Sequence, residues 1–246
     1  MRFVLFAAIL FALLPASRAQ DGKGEWVDLM KPDVWKKVDP KWIPTDAAKL
    51  APDTKKRDDR LLKAEKKENG PIWVNGETGR LPNLITKDAF GDCEVHIEVL
   101  LAKGSNGGIK FHEVYEIQFF DSFGKKDDAL TGSDMGGVYP RANLEKGGYL
   151  DKGVPPKVNA CKAPGEWQTL DVTWKSPRFD AKGEKTASAM IVKAVLNGQV
   201  IHENVEVKTP TGGNWQKKET ATGCFMLQTD HGPTAWRNVK IRTLAK

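Results

Sequence analysis

From Leu81 to its end the chain is a succession of short segments in which apolar and polar residues alternate, punctuated by Gly, Pro and Asn, with little sustained helical periodicity. A period of two sends successive side chains to opposite faces, so such segments bury themselves by stacking the apolar faces of antiparallel sheets. The pattern predicts an all-β sandwich or jelly roll of two antiparallel sheets. Strands are expected near residues 84–86, 93–101, 108–111, 115–121, 136–139, 168–174, 189–196, 199–207, 224–229 and 237–243. The clearest hairpin signal is Leu196-Asn197-Gly198-Gln199, because Asn-Gly accepts the positive φ angles of a type I′ turn. Residues 31–79 read differently: they are dense in Lys, Asp and Pro, carry Trp35, Trp42 and Trp73, and do not resolve into elements. We therefore expect a loop-rich elaboration over residues 20–80 of the same domain that forms the sandwich over 81–246, with residues 175–185 as an exposed loop.

The first residues have another use. Arg2 precedes an apolar run from Phe3 to Leu14, and Ser17-Arg18-Ala19 offers small residues where a signal peptidase cuts. The run is shorter than the roughly 20 residues that span a bilayer, so residues 1–19 are expected to be a signal peptide, leaving a secreted or periplasmic protein not held in a membrane. An uncleaved anchor is the alternative. The formal net charge of +6 loses the charges of Arg2 and Arg18 on cleavage. The remaining lysines are scattered among acids: Lys55-Lys56-Arg57 and Lys66-Lys67 adjoin Asp58, Asp59, Glu65 and Glu68. That is a solvated surface rather than the concentrated basic stripe of a nucleic-acid binder. Three cysteines, Cys93, Cys161 and Cys224, are too few for a disulfide framework or a cysteine zinc site, although one bridge is open to them in an oxidising compartment.

Chemistry concentrates in three places. In NGGIKFHEVYEIQFFD, residues 106–121, alternation directs Ile109, Phe111, Tyr115, Ile117 and Phe119 to one face and Lys110, His112, Glu116 and Gln118 to the other. A carboxylate beside an amide and a lysine suits sugar hydroxyls, and His112 falls at or near the turn. On residues 93–101, Glu94, His96 and Glu98 share a face. This is either a wet outer face or a groove with acid and base groups, as glycoside hydrolysis requires of two carboxylates about 5–9.5 Å apart. The spacing resembles the E-x-D-x-E strand of laminarinase-type glycosidases with histidine in place of the central acid. Near the end, Gln228-Thr229-Asp230-His231-Gly232 and Trp236-Arg237-Asn238 gather an acid, an imidazole and a guanidinium at a strand terminus. A histidine beside an aspartate can act as general base and an arginine can hold an oxyanion. Asn106, Asp121, Ser122, Tyr139, Asn159 and Trp167 lie near turns and could line the same groove. No HxH or His-x-x-x-Asp spacing marks a metal site, although His96, Glu98, Asp230 and His231 could meet in space.

Read in order, TKDAFGDCEVHIEV (86–99), NGGI with YEIQFFDS (106–122), GGVYP with NACKAPGEWQTLDVTW (136–174) and LNGQVIHENVEV with GCFMLQTDHGPTAWRNVKIR (196–242) resemble the 3-keto-disaccharide hydrolase family. The resemblance covers about residues 84–246 and implies a concanavalin-like jelly-roll sandwich in exported bacterial proteins, acting on carbohydrate. A ketone at sugar C3 acidifies the C2 hydrogen, permitting elimination of the group at C1 and addition of water. Laid on these motifs, His231 paired with Asp230 is the expected base, Glu116 the second acid/base and Arg237 or Lys110 the electrophilic support, which a divalent cation could replace. Gln118, Lys110, Asn106, Tyr139, Trp167, Gln228, Asp121, His96 and Glu98 are the expected substrate contacts. Two departures stand out: Asn106-Gly107-Gly108-Ile109 with His112-Glu113 replaces the family's N-S-G-I and Arg-Gly turn. The amino-terminal signature is also reduced to Trp26-Val27-Asp28-Leu29 and Trp35. A non-catalytic lectin-like module and a laminarinase-like glycosidase are the competing readings.

Overall fold

Alternation assembles two antiparallel sheets that face one another. The computed structural model describes residues 23–51, 61–76 and 78–245; the expected signal peptide and the Lys55-Lys56-Arg57 cluster lie outside them. In chain order the strands are β1 (Val27–Asp28), β2 (Ile43–Thr45), β3 (Ala48–Leu50), β4 (Leu62–Ala64), β5 (Ile72–Val74), β6 (Leu84–Phe90), β7 (Cys93–Leu101) and β8 (Asn106–Phe111). There follow β9 (Tyr115–Phe120), β10 (Trp167–Lys175), β11 (Arg178–Phe179), β12 (Lys185–Ala187), β13 (Ala189–Leu196), β14 (Gln199–Val207), β15 (Gly223–Gln228) and β16 (Thr234–Thr243). The larger sheet runs β14-β13-β10-β7-β16-β5-β2, with β1 also on β16, and the smaller runs β6-β15-β8-β9. No helix among the described residues is long and apolar enough to cross a membrane.

The core is the seam between the sheets. Val95, Ile97 and Val99 of β7, Leu170, Val172 and Trp174 of β10 and Trp236 and Ile241 of β16 meet Ile109, Phe111, Tyr115, Ile117 and Phe119 of the β8–β9 hairpin and Phe225 and Leu227 of β15. Phe111 stacks on Trp174 with centroids 4.4 Å apart. Each fully buried side chain of this kind contributes roughly 1.5–3 kcal/mol, so the faces cannot be exchanged without losing the whole row. A smaller cluster of Leu62, Ile72, Val74, Leu100, Ala102 and Ala235 lies on the other side of the large sheet.

Several expectations change here. Residues 31–79 are not unstructured elaboration alone: β2 pairs with β5, and β5 joins the edge of β16 at Ala235 and Trp236. Three-residue strands of this kind are specified by their neighbours rather than by a visible alternation. Residues 136–139 form no named strand and contribute only bridges at Val138, to Ile117 and Val154. The loop over 175–185 contains β11 and the start of β12, which pair with each other. All three cysteines are free thiols, Cys93 and Cys161 buried; burial and the nearby Asp92 and Glu94 carboxylates push the Cys93 thiol far up.

Candidate active site

The β8–β9 hairpin builds the site. Its apolar residues are committed to the core, so Lys110, Glu116 and Gln118 are forced onto the outer face of the small sheet. Lys110 and Glu116 are direct cross-strand partners, as are Gly108 and Gln118, and β15 continues the rows with Met226 beside Lys110 and Gln228 beside Gly108. The Lys110 ammonium lies 3.0 Å from Glu116 Oε2. The Gln118 side-chain amide stands between Glu116 Oε1 at 3.2 Å and the Gly107 carbonyl at 3.0 Å on one side and the Asn106 amide at 3.3 Å on the other. The Glu116 backbone N–H donates to Thr211 Oγ1 at 2.9 Å, tying the strand to the loop that follows β14. Gly108 keeps this row open, since a Cβ there would stand 3.1 Å from Glu116 Oε1.

Glu116 is only 3% exposed. Burial pushes its carboxyl above the usual range, Asp230 adds to that, and the charges of Lys110 and His231 oppose it. The charges of His231 and Asp230 thus both bear on Glu116. His231 Nδ1 is 2.5 Å from Asp230 Oδ1, and both side chains are partly exposed. The Tyr139 hydroxyl is 2.6 Å from that of Tyr149. Burial, this hydrogen bond and the charges of Tyr149 and Glu116 push the Tyr139 phenol well up. Gln228 is 8% exposed and its Oε1 meets no donor among the described residues. An unpaired buried acceptor costs free energy unless something fills it.

Other residues singled out in the sequence go elsewhere. His112 adopts φ 53 in the hairpin turn and leaves the Lys110 face; it is buried, with Nε2 3.0 Å from Ser176 Oγ and Nδ1 3.1 Å from the Thr220 carbonyl. Arg237, His96 and Glu98 lie on the outer face of the large sheet, across the sandwich from Glu116. Register explains their pairing, because Glu98 stands opposite Arg237 on β16 and His96 opposite Asp171 on β10. Arg237 Nε donates to Glu98 Oε2 at 2.6 Å, and its guanidinium sits 4.1 Å from the Trp167 ring centroid. His96 Nδ1 is 2.7 Å from Asp171 Oδ1 and its Nε2 2.9 Å from Asn238 Nδ2. Glu94 is likewise held by Lys23 and Arg242. The Glu94-His96-Glu98 row is thus an ion-paired outer face, and His96 and Glu98 do not meet Asp230 and His231. Asp121 accepts from the Gly104 and Phe123 backbone N–H groups and Asn159 donates to the carbonyls of Ser122 and Lys125, turn-forming roles; Asn106, on β8 opposite Phe120, stays with the row, its side-chain amide 3.3 Å from that of Gln118. No three His, Cys, Asp or Glu side chains among the described residues converge to hold a metal ion. The Lys110 ammonium is a cation set beside Glu116.

One anchoring residue has no signal in the sequence. Asn75, fully buried, donates to the carbonyls of Thr229 at 2.8 Å and Gly232 at 2.9 Å and accepts from Thr234 N–H at 2.7 Å, bracketing the turn that carries His231. Ser105 Oγ clamps the same turn at the Pro233 carbonyl, 2.7 Å away.

Known proteins share this architecture. A family model described as a 3-keto-alpha-glucoside-1,2-lyase-like domain matches residues 21–242. A solved protein of Parabacteroides distasonis, provisionally named a glycosyl hydrolase, superposes with a TM-score of 0.57 at 22% identity, over 85% of this chain and 93% of its own, a likeness of fold. A second protein of that organism and provisional name superposes at 0.48 and 18% identity, over 83% of this chain and 100% of its own. An alginate lyase bound to an alginate tetrasaccharide reaches 0.41 at 10% identity, over 85% of this chain and 99% of its own. No curated protein matches the chain.

Proposed function

Because the chain belongs to the 3-keto-alpha-glucoside-1,2-lyase-like family, which makes it a carbohydrate-active protein, we propose that it cleaves the glycosidic bond of 3-keto-glycosides, 3-keto-disaccharides among them, after export. The observation that carries this reading is Glu116, nearly inaccessible and pushed up by burial, with Lys110 at 3.0 Å and the Asp230–His231 pair near enough to affect it. A lectin-like surface has no need of a carboxyl placed at such cost.

In the proposed cycle His231, whose Nδ1–H is directed at Asp230, keeps Nε2 as the basic nitrogen. Nε2 takes the C2 proton, and the C2–H electrons form an enolate whose charge on O3 meets the Lys110 ammonium. The C1–O bond then breaks with its electron pair on the departing oxygen, which receives the proton held by Glu116, leaving a C1=C2 enone. Water adds at C1 with Glu116 as base, and His231 returns the proton to C2, so the net change is hydrolysis. Gln118, Gln228 and Tyr139 supply hydroxyl partners along the row. Export of the mature protein is supported by the apolar run from Phe3 to Leu14 and the small residues before Gln20, and the mass of the amino terminus of exported material tests it.

The decisive assay gives wild type, Glu116→Gln and His231→Ala a 3-keto-trehalose and its unoxidised parent and follows the released sugar. We expect cleavage of the keto sugar alone, with losses of about 10²- to 10⁴-fold in the variants. Binding without cleavage by wild type would instead make the protein a lectin-like module, and cleavage of the unoxidised parent would make it a direct glycosidase.

A further inference from the structure

The edge of the large sheet carries a notch that the proposed reaction does not use. β16 is covered at Ala235 and Trp236 by β5 and at Lys240 and Ile241 by β1, and between these two partners it bulges, with Asn238 at φ 47. The interruption opens a cavity of about 900 Å³ whose walls include Trp26, Trp42 and Trp73 together with Pro32, Pro40, Pro44 and Pro71. Prolines fix the wall backbone, so less conformational freedom is lost on binding. Trp26 is 38% exposed and is steadied by the Arg242 guanidinium 4.5 Å from its ring centroid and the Lys240 ammonium at 5.2 Å. Trp42, 5% exposed, packs 6.0 Å from Trp73 and its indole N–H meets no acceptor among the described residues.

We propose that this notch is a second carbohydrate site, which takes a neutral pyranose chain. The proposal rests on the carbohydrate-active reading above and deepens it. A pyranose ring offers an apolar C–H face for stacking on indole and a rim of hydroxyls that both donate and accept. The polar wall answers that rim. Asp28 and Asp39 are oriented by accepting the backbone N–H groups of Met30 at 2.9 Å and Lys41 at 2.8 Å, and Asn69 and Asn238 add amides. The cations Lys31, Lys66, Lys240 and Arg237 stand among these acids, and Arg237 is already committed to Glu98. With Arg237 set against Glu98, three cations face two acids, a near balance that gives a charged chain little complementary field, whereas hydroxyls use either sign. The site lies on the opposite sheet from Glu116, so it would hold a glycan without occupying the reacting centre.

The test is calorimetric titration of wild type, Glu116→Gln, Trp26→Ala and Trp26→Phe with cellohexaose, maltohexaose, an oligoglucuronate and a proline decamer, alongside turnover of a small 3-keto-glucoside. We expect a neutral hexaose to bind wild type and Glu116→Gln alike, Trp26→Ala to weaken it about tenfold or more, and Trp26→Phe to restore most of the loss. Turnover of the small substrate stays unchanged in Trp26→Ala. Hexaose binding that survives in Trp26→Ala, that disappears in Glu116→Gln, or that is weaker than binding of the oligoglucuronate or the proline decamer would overturn the proposal, as would no binding at all. The turnover arm reports on Glu116 independently, so the two readings can fail separately.

Discussion

Asn75 holds the turn that carries His231, the base of the proposed cycle. Its single buried amide satisfies three backbone groups of the 229–234 turn. Truncation to alanine would leave those groups unpaired inside the protein, at about 1–3 kcal/mol. Asn75→Ala is therefore expected to lower the urea midpoint and to lower kcat on a 3-keto-glucoside while KM changes little, because the turn loosens but the Lys110–Gln118 face remains. Asn75→Asp, which keeps the acceptor for Thr234 N–H but turns a buried carboxylate onto the Thr229 and Gly232 carbonyls, should cost at least as much as the alanine. If kcat in Asn75→Ala stays at the wild-type value while stability drops, the residue serves the fold alone and His231 needs no such clamp.

Among the elements, the β13–β14 hairpin separates backbone strain from side-chain bonding. Asn197 and Gly198 take φ 51 and 83, as the Asn-Gly signal predicts. The Asn197 side chain also accepts from Thr169 N–H at 2.8 Å and donates to the Ala160 carbonyl at 2.7 Å and to Gln168 Oε1 at 2.6 Å, joining the hairpin to β10. Glycine at 197 relieves the positive φ, worth about 1 kcal/mol, but forfeits all three bonds. Asn197→Gly should consequently lose nearly as much urea stability as Asn197→Ala; near-wild-type stability for the glycine variant would show that the turn, and not the bonding, is what Asn197 supplies. Strands with strict alternation were legible to the residue: β7, β13 and β14 begin and end where the pattern does. So was the row of Lys110, Glu116 and Gln118, because the core claims their neighbours. β1, β2 and β5 were not legible, since two or three residues cannot display a period; the pairing of β1 and β5 with β16 is set across more than a hundred residues of chain, and β2 joins only through β5. Nor was the parting of His231 from Arg237. They are near in sequence, but the turn after β15 carries the chain from the small sheet to the large one, and alternation does not say when a strand changes sheet. His112 left its row for a comparable reason, a left-handed turn conformation that breaks the period.

Across the whole molecule, individual carboxyls respond to pH with opposite signs. On and around the large sheet, burial pushes Asp92, Glu94 and Glu98 up, but hydrogen bonds and charge outweigh it: Arg178 and Ser176 at Asp92, Lys23 and Arg242 at Glu94, Asn238 and Arg237 at Glu98. All three end below the usual range. The unfolded chain then binds more protons than the folded one, so their contribution is present above about pH 4 and is lost as pH falls through the depressed values. Desolvation lowers His112 and His202 in the same way, so their contribution, present above about pH 6.5, fades as pH falls through their folded values. Glu116 on the small sheet does the reverse. Its raised carboxyl keeps a proton in the folded state that the unfolded chain releases, a stabilisation present below about pH 4.3 and lost as pH rises through the raised value. Each limb should therefore answer to its own carboxyls. In thermal melts from pH 2 to 9, Glu94→Gln should make the acid limb shallower and leave the rest of the profile parallel to wild type. Glu116→Gln should gain on wild type steadily as pH rises from about 4 and leave the acid limb alone. A Glu116→Gln profile that runs parallel to wild type above pH 4 would mean that Lys110 and His231 fully offset the burial of this carboxyl, and with that the case for Glu116 as the proton donor would fail.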